Sequence, residues 1–148
     1  MRLKTLRTIC LSSLLALTVS VQAEKKPKMQ TVYIFGCSVS FTDPQVYLTD
    51  VIQLDSAYVM PNGFLVDRQM YSYQLQEYVM AQDQVKQSTC SVFFDVKKEK
   101  ALKKYNRLKR KYLQAKDATI VPLSKDEFCF KAEEYVAPET LEQEENNE

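Results

Sequence analysis

The densest group of charged side chains is a basic stretch that covers residues 97–116. It holds ten Lys or Arg residues and a single acid, Glu99, in twenty positions. Such a density of positive charge suits an anionic partner, such as a glycan, a lipid headgroup or a nucleic acid. On a helix, like charges four residues apart cost about 0.2–0.5 kcal/mol per pair. An anionic partner would offset that cost, and so would the chain's own acidic residues, which include seven Glu from Glu133 onward.

The apolar residues of this stretch fall at helical spacing, so they would form one face of a helix that lies on a sheet. They are Ala101, Leu102, Tyr105, Leu108, Tyr112 and, at the edge of the face, Leu113. Proteins that bind nucleic acid interleave aromatic residues among exposed cations, whereas these tyrosines belong to the inward face. We therefore expect a solvated, charged outer face. The alternative is an anion-binding site formed by Lys103, Lys104, Arg107 and Arg110.

Cys37 is the candidate reactive thiol. It lies near the carboxyl end of the first predicted strand, where ligand sites gather in open α/β sheets. A nucleophilic thiolate needs an adjacent base or a lowered pKa, and the chain has no His. Cysteine is more often a small buried apolar side chain, and we expect that role first. Disulfides among Cys37, Cys90 and Cys129 stay open, because the sequence does not select a pairing.

No other pattern in the chain indicates catalysis or a cofactor. The sequence contains no P-loop, no G-x-S-x-G motif and no Gly-rich nucleotide loop. The three cysteines match no zinc spacing, and no His can supply a fourth ligand. We therefore predict no catalytic residue, no metal site and no cofactor, and we favour a binding protein over an enzyme.

Residues 1–23 have the pattern of a secretory signal peptide. Arg2, Lys4 and Arg7 precede an uncharged, mostly apolar stretch at 8–21, which is shorter than the roughly 20 residues that span a bilayer. Residues 21–23, Val-Gln-Ala, form a small-x-Ala cleavage pattern. We expect an exported chain, periplasmic or secreted, with no membrane span after cleavage. Export also argues against a nucleic-acid partner.

The rest of the sequence predicts one α/β domain at 31–135, between a flexible leader at 24–30 and a disordered acidic tail at 136–148. Strands are predicted at 31–41, 88–96, 117–123 and 126–135. The stretch at 45–54 is either a further strand or a short strand followed by a turn of helix that begins near Asp50. Helices are predicted at 67–82 and over the basic stretch. Because strands alternate with helices, β-α-β units are expected. The predicted fold is a small open, largely parallel sheet of three to five strands with two main helices.

Several segments resemble a family of small secreted proteins of Bacteroides-type bacteria. They are TVYIFGCSVSFTD, VYLTDVIQLDSA, NGFL with YSYQLQEY, and CSVFFDVKKEKALKKYNRLKRKY, which together span about residues 31–130. This resemblance implies export and no particular activity. The segment at 91–123 is also similar to the strand-helix-strand half of SPOR domains, which bind peptidoglycan. That similarity implies a ferredoxin-like or SPOR-like arrangement and an anionic glycan or cell-wall polymer as the partner.

These observations predict an exported, non-catalytic binding or accessory protein whose ligand the sequence does not identify. The first alternative is a SPOR-like module that binds an anionic glycan through the four cations named above. The second alternative is a thiol-dependent enzyme or redox protein centred on Cys37.

Overall fold

The computed structural model of the protein describes residues 26–83 and 88–136. Its elements, in chain order, are β1 (Lys28–Ser40), β2 (Gln45–Thr49), β3 (Ile52–Val59), α1 (Arg68–Asp83), β4 (Ser88–Asp95), α2 (Lys98–Gln114) and β5 (Thr119–Leu123). The predicted α/β class, with two helices and an open sheet, is confirmed. The predicted signal peptide lies outside the described residues, as does the predicted acidic tail apart from Val136.

Strand β1 is the centre of a five-stranded sheet. Strands β2 and β3 pair with successive parts of one edge of β1, and β4 pairs with its other edge, all antiparallel. Strand β5 joins the outer edge of β2 and is parallel to it. The prediction of a largely parallel sheet is therefore wrong. Only the four residues 41–44 join β1 to β2, and a parallel neighbour would need a crossover of a dozen or more residues.

The order of the elements also differs from the ferredoxin-like arrangement. That arrangement runs β-α-β-β-α-β, whereas here three strands precede the first helix. Strand β1 also begins three residues earlier than predicted. Lys28, Met29 and Gln30, which we assigned to the flexible leader, pair with Val59, Tyr58 and Ala57 of β3.

Helices α1 and α2 cover opposite faces of the sheet. Successive side chains of a strand point to opposite faces. Ile34 of β1 accordingly lies in the core cluster that contains Leu75 of α1. Its neighbour Phe35 lies in the second cluster with Cys37, and the ring of Tyr105 from α2 packs edge-on against it at 5.4 Å. The domain therefore has three layers, with the sheet between the two helices.

After a hydrogen-bonded turn at 124–128, residues 128–136 form an extended C-terminal strap that lies along α1 on the same face of the sheet. Phe128 and Phe130 are buried in the core beside α1. The side chain of Gln74 in α1 donates to the Lys131 carbonyl at 3.0 Å and accepts from the Lys131 N–H at 2.9 Å. The predicted strand at 126–135 is therefore wrong. Its alternation of inward and outward residues is present, but a helix side chain takes the place of a neighbouring strand.

Gly36 is the point where the sheet, α1 and the strap come closest. A Cβ atom at this position would lie 2.6 Å from Cδ2 of Leu75 and 2.9 Å from Cζ of Phe130. Both neighbours are buried side chains with little room to move, because protein interiors are close-packed. Glycine is thus required here by packing between layers.

We predict that Gly36→Ala destabilises the protein by roughly 1–3 kcal/mol, the usual cost of overpacking a core. Urea unfolding monitored by circular dichroism would measure the change. Ser91→Ala, at an exposed position on the neighbouring strand, is the matched control and should stay within about 0.5 kcal/mol of the parent. Equal stability of Gly36→Ala and the parent would contradict the close approach of the layers.

Candidate functional site

The four predicted anion-binding cations divide into two groups. Lys103, Arg107 and Arg110 follow one another at i, i+4 and i+7 on α2, and all are exposed. At about 100° per residue, they point away from the sheet, opposite Ala101 and Tyr105 on the inner face. Together with Leu102, Asn106 and Glu99 they line one shallow groove on the outer side of the helix. We call Lys103, Arg107 and Arg110 the outer strip.

Lys104 does not belong to the outer strip. Its ammonium donates to the Phe94 carbonyl at 2.7 Å and to Oδ2 of Asp95 at 3.0 Å. It thus ties the first half of α2 to the end of β4, and its side chain is 46% exposed while that of Asp95 is 15% exposed. From the sequence, the four cations looked equivalent. In the structure, Lys104 differs from the other three because it holds α2 to β4.

The pKa of Asp95 reflects this contact. Partial burial raises it, but hydrogen bonds from Lys104 and from the Lys97 N–H, with the charges of Lys104 and Lys100, outweigh burial and hold the pKa below its usual value. A carboxylate whose pKa is lower in the folded state stabilises the fold above its unfolded pKa, near 3.9. That stabilisation is lost as the pH falls through the folded pKa.

We predict that Asp95→Asn lowers stability at pH 7 by about 0.5–1 kcal/mol, a value reduced for the solvent exposure of Lys104. The difference from the parent should shrink as the pH falls below about 4, because the parent then loses the same charge. Urea unfolding at a series of pH values measures this. Asp126→Asn, at an exposed position, is the control. A difference that is the same at pH 7 and pH 3 would contradict the assignment.

Cys37 is packed in the core beneath α2 and is 4% exposed. Burial raises the pKa of its thiol to about 11, although a hydrogen bond with Tyr112 acts in the opposite direction. A reactive thiol needs the reverse, a lowered pKa and access to solvent. The structure therefore places Cys37 in a packing role, which is the role that we expected first from the sequence.

The three cysteines within the described residues are free, and they lie in different environments. Cys37 faces α2, whereas Cys90 pairs across the ladder with Ser38 and packs on the α1 side. A bond between Cys37 and Cys90 would have to cross the sheet, which disulfide geometry does not allow. Cys129 is exposed on the strap.

A small polar cluster surrounds Cys90. The hydroxyls of Ser38 and Ser88 are buried without an oxygen or nitrogen partner among the described residues. Their neighbour is the Cys90 thiol, a weak hydrogen-bonding group. Burial raises the pKa of Cys90, while its contacts with Ser38 and Ser88 oppose that rise. This cluster therefore lacks the strong base that would generate a thiolate.

We predict that iodoacetamide at neutral pH labels Cys129 first, Cys90 more slowly, and Cys37 only after unfolding in urea. The order follows the exposure of the three thiols, with the raised pKa of Cys37 adding to its protection. Mass spectrometry of timed samples with and without urea would give the three rates. Labelling of native Cys37 at the rate of Cys129 would revive the thiol-enzyme alternative.

The structure also shows a cleft that sequence reasoning missed. It lies where the first residues of β1 extend past the end of β4, and it is formed by residues far apart in the sequence. Its lining includes Lys28, Val59, Phe64, Arg68, Phe94 and Lys104. An indication of the cleft in the sequence was the aromatic Phe64 in the turn after β3. In the structure its side chain is 64% exposed. We call this feature the edge cleft.

The rings of Tyr71 and Tyr78 in α1 pack against Phe130 and Phe128 of the strap, so they belong to the core. Within residues 26–83 and 88–136, no group of three or more His, Cys, Asp or Glu side chains is placed to hold a metal ion. None of the helices in this part of the chain is long and apolar enough to cross a membrane. Comparison of the chain with protein-family models, with curated proteins and with solved structures finds no match.

Proposed function

We propose that this chain is an exported, non-catalytic binding or accessory protein whose outer strip binds an anionic glycan, with a cell-wall polymer as the first candidate. The observation that carries the proposal is the outer strip itself. Its three cations make no ion pair with the described residues, and they point directly into solvent. Repulsion between the three positive charges destabilises the helix. A polyanion bound along the strip would neutralise these charges and remove the repulsion.

Export is the second support for a glycan. The basic start, the uncharged stretch at 8–21 and the Val-Gln-Ala pattern at 21–23 favour secretion, and nucleic acid is not the expected polyanion outside the cytoplasm. The inner position of Tyr105 and Tyr112, which pack in the α2 cluster, supports the same choice. Single-stranded nucleic acid is usually bound on exposed aromatic rings.

The proposal rests on charge and position, and it does not depend on a SPOR fold. The element order differs from the β-α-β-β-α-β arrangement that the SPOR similarity implied. The strip is about 10 Å long, since seven residues of α-helix rise 1.5 Å each. A strip of this length reaches few anionic groups at once, so each contact is weak and a polymer with many repeats binds better than a short oligomer.

The thiol-enzyme alternative has less support. The raised pKa and the burial of Cys37 work against it, and the chain has no His to act as a base. The SPOR-like alternative keeps its ligand class, because an anionic glycan is also what the outer strip suits.

We predict that the protein pellets with purified cell-wall sacculi at low salt and is released at high salt. Exposed charges are screened within about 8 Å at physiological ionic strength. The double variant Arg107→Glu, Arg110→Glu should bind roughly tenfold more weakly or worse, a loss of about 1.4 kcal/mol or more. The bound fraction in the pellet, measured across a range of sacculus concentrations, gives the affinities.

The matched control is Lys109→Glu with Lys116→Glu, which makes the same change in net charge away from the outer strip. This control should keep most of the binding, and thermal unfolding should show that both variants remain folded. Equal losses in the two variants would mean that net charge alone attracts the protein, and this would reject the strip as the site. Absence of pelleting by the parent at low salt would reject the glycan.

A further inference from the structure

The edge cleft has a volume of about 640 Å³ and combines an apolar floor with positive side chains. Val59, Phe64 and Phe94 contribute apolar surface, and Val96 at the rim is about half exposed. The cleft exists because β1 is longer than β4. The last rung of the β1–β4 ladder joins Tyr33 to Asp95, and before this rung Lys28, Met29, Gln30 and Val32 of β1 pair with β3 alone.

Beside this cleft, next to the lining residue Gln30, the backbone of β1 is open to a further strand. In an antiparallel ladder, alternate residues turn their N–H and C=O groups toward each neighbour. The Phe94 carbonyl points away from β1, since it accepts from Lys104, so Tyr33 and Asp95 carry the last ladder bonds. The β1–β3 register shifts between Gln30 and Val32, but the extra residue lies in β3, so β1 keeps its alternation. Two residues before Tyr33, Thr31 therefore turns the same groups toward the edge where β4 has ended. An extended segment can add to such an edge by main-chain hydrogen bonds.

The charges of the edge cleft favour an acidic segment. Lys28, Arg68 and Lys104 line it, and Asp95 is the one carboxylate in the lining. Arg68 and Lys104 already donate to carbonyls of β4. A guanidinium has five N–H donors and an ammonium three, so both retain donors for a carboxylate, and Lys28 is exposed.

The C-terminal strap ends close to the same end of the sheet. The ring of Tyr135 packs against Tyr58 of β3 at 5.5 Å, and Tyr58 is the ladder partner of Met29 in β1. From the outer side of β3 to the open edge of β1 is about two strand spacings, roughly 10 Å. Residues 137–148 could span up to about 40 Å when extended. They contain five Glu, no Lys or Arg, and the apolar Leu141.

We propose that residues 137–148 bind in the edge cleft as an extended segment added to β1 at Thr31. Their glutamates lie beside Lys28 and Arg68, and Leu141 covers the exposed ring of Phe64. The segment thereby occupies an open strand edge and an apolar patch that would otherwise be free to pair with another chain. This proposal does not depend on the glycan proposal, because the outer strip and the edge cleft share none of these residues.

The test compares backbone amide NMR spectra of the full chain with those of a variant in which the five glutamates of residues 137–148 are replaced by Gln. Outside the substituted segment, we expect the shifted amides to cluster at the edge cleft, at Thr31, Phe64 and Val96. Lys28→Glu should shift the same amides. Adding the Gln substitutions to Lys28→Glu should then produce less than half of the shift that they produce in the parent, because both changes break one contact.

Lys109→Glu is the matched control, since it makes the same charge change on α2 away from the cleft, and it should leave these amides unmoved. Shifts at Lys103, Arg107 and Arg110 would place the acidic segment on the outer strip and overturn the proposal. Shifts confined to residues 137–148 would show that this segment does not bind to the domain, and this result would also overturn the proposal. Shifts that grow with protein concentration would show binding between two copies and would likewise overturn it.

Discussion

Strand β1 must be covered on both faces, and the rest of the domain follows from that requirement. Residues 34–38 are buried without interruption, and apolar side chains point to both sides of the strand. A strand of this kind is stable only between two layers. One layer is α1 with the C-terminal strap, and the other is α2. The close contact at Gly36 shows how tightly the first of these layers is fitted to the strand.

The requirement also determines what the buried polar groups can do. Cys37 lies on the side of β1 that α2 covers, so its thiol is desolvated and its pKa rises. Thr49 faces β1 from β2, and its hydroxyl accepts from the Gly36 N–H at 2.8 Å. Thr49 thus supplies a hydrogen-bond acceptor for a backbone N–H, and Cys37 fills space in the core. The residues that remain available for function are therefore those on the outer faces of the helices and at the ends of the sheet.

Much of the fold could be predicted, because each element has its own periodicity in the sequence. The helix predicted at 67–82 is α1, and Tyr71, Leu75 and Val79, which follow one another at intervals of four, are all buried. The strand direction could not be read in this way, since periodicity says nothing about which strands are neighbours. The short connection at 41–44 was the relevant signal, because a link of that length joins antiparallel strands. The alternation of strands and helices later in the chain instead led us to predict β-α-β units and a largely parallel sheet.

The strap and Lys104 show the limits of local patterns. A period of two predicts an extended segment that is buried on one side, but it does not say whether a strand or a helix provides the contact. For the strap, Gln74 of α1 provides it. Similarly, spacing placed Lys104 beside Lys103, but the position of the Phe94 carbonyl decides its role. That position depends on where β4 ends against β1, which is a property of the assembled sheet.

The described cations of α1 and α2 therefore fall into two classes. Some hydrogen-bond to the edge of the sheet, and others are exposed to solvent. Arg68 donates to the Val92 carbonyl, Gln76 to the Ser88 carbonyl and Lys104 to the Phe94 carbonyl, so long polar side chains occupy the outer edge of β4. An edge blocked by such side chains is protected from pairing with another chain. Beyond the end of β4 this protection stops and the open edge of β1 begins. Positive charge near the sheet is thus largely structural. The outer strip is different, since its cations point away from the sheet and make no ion pair within the described residues, and no contact there gives them a role in holding the fold together.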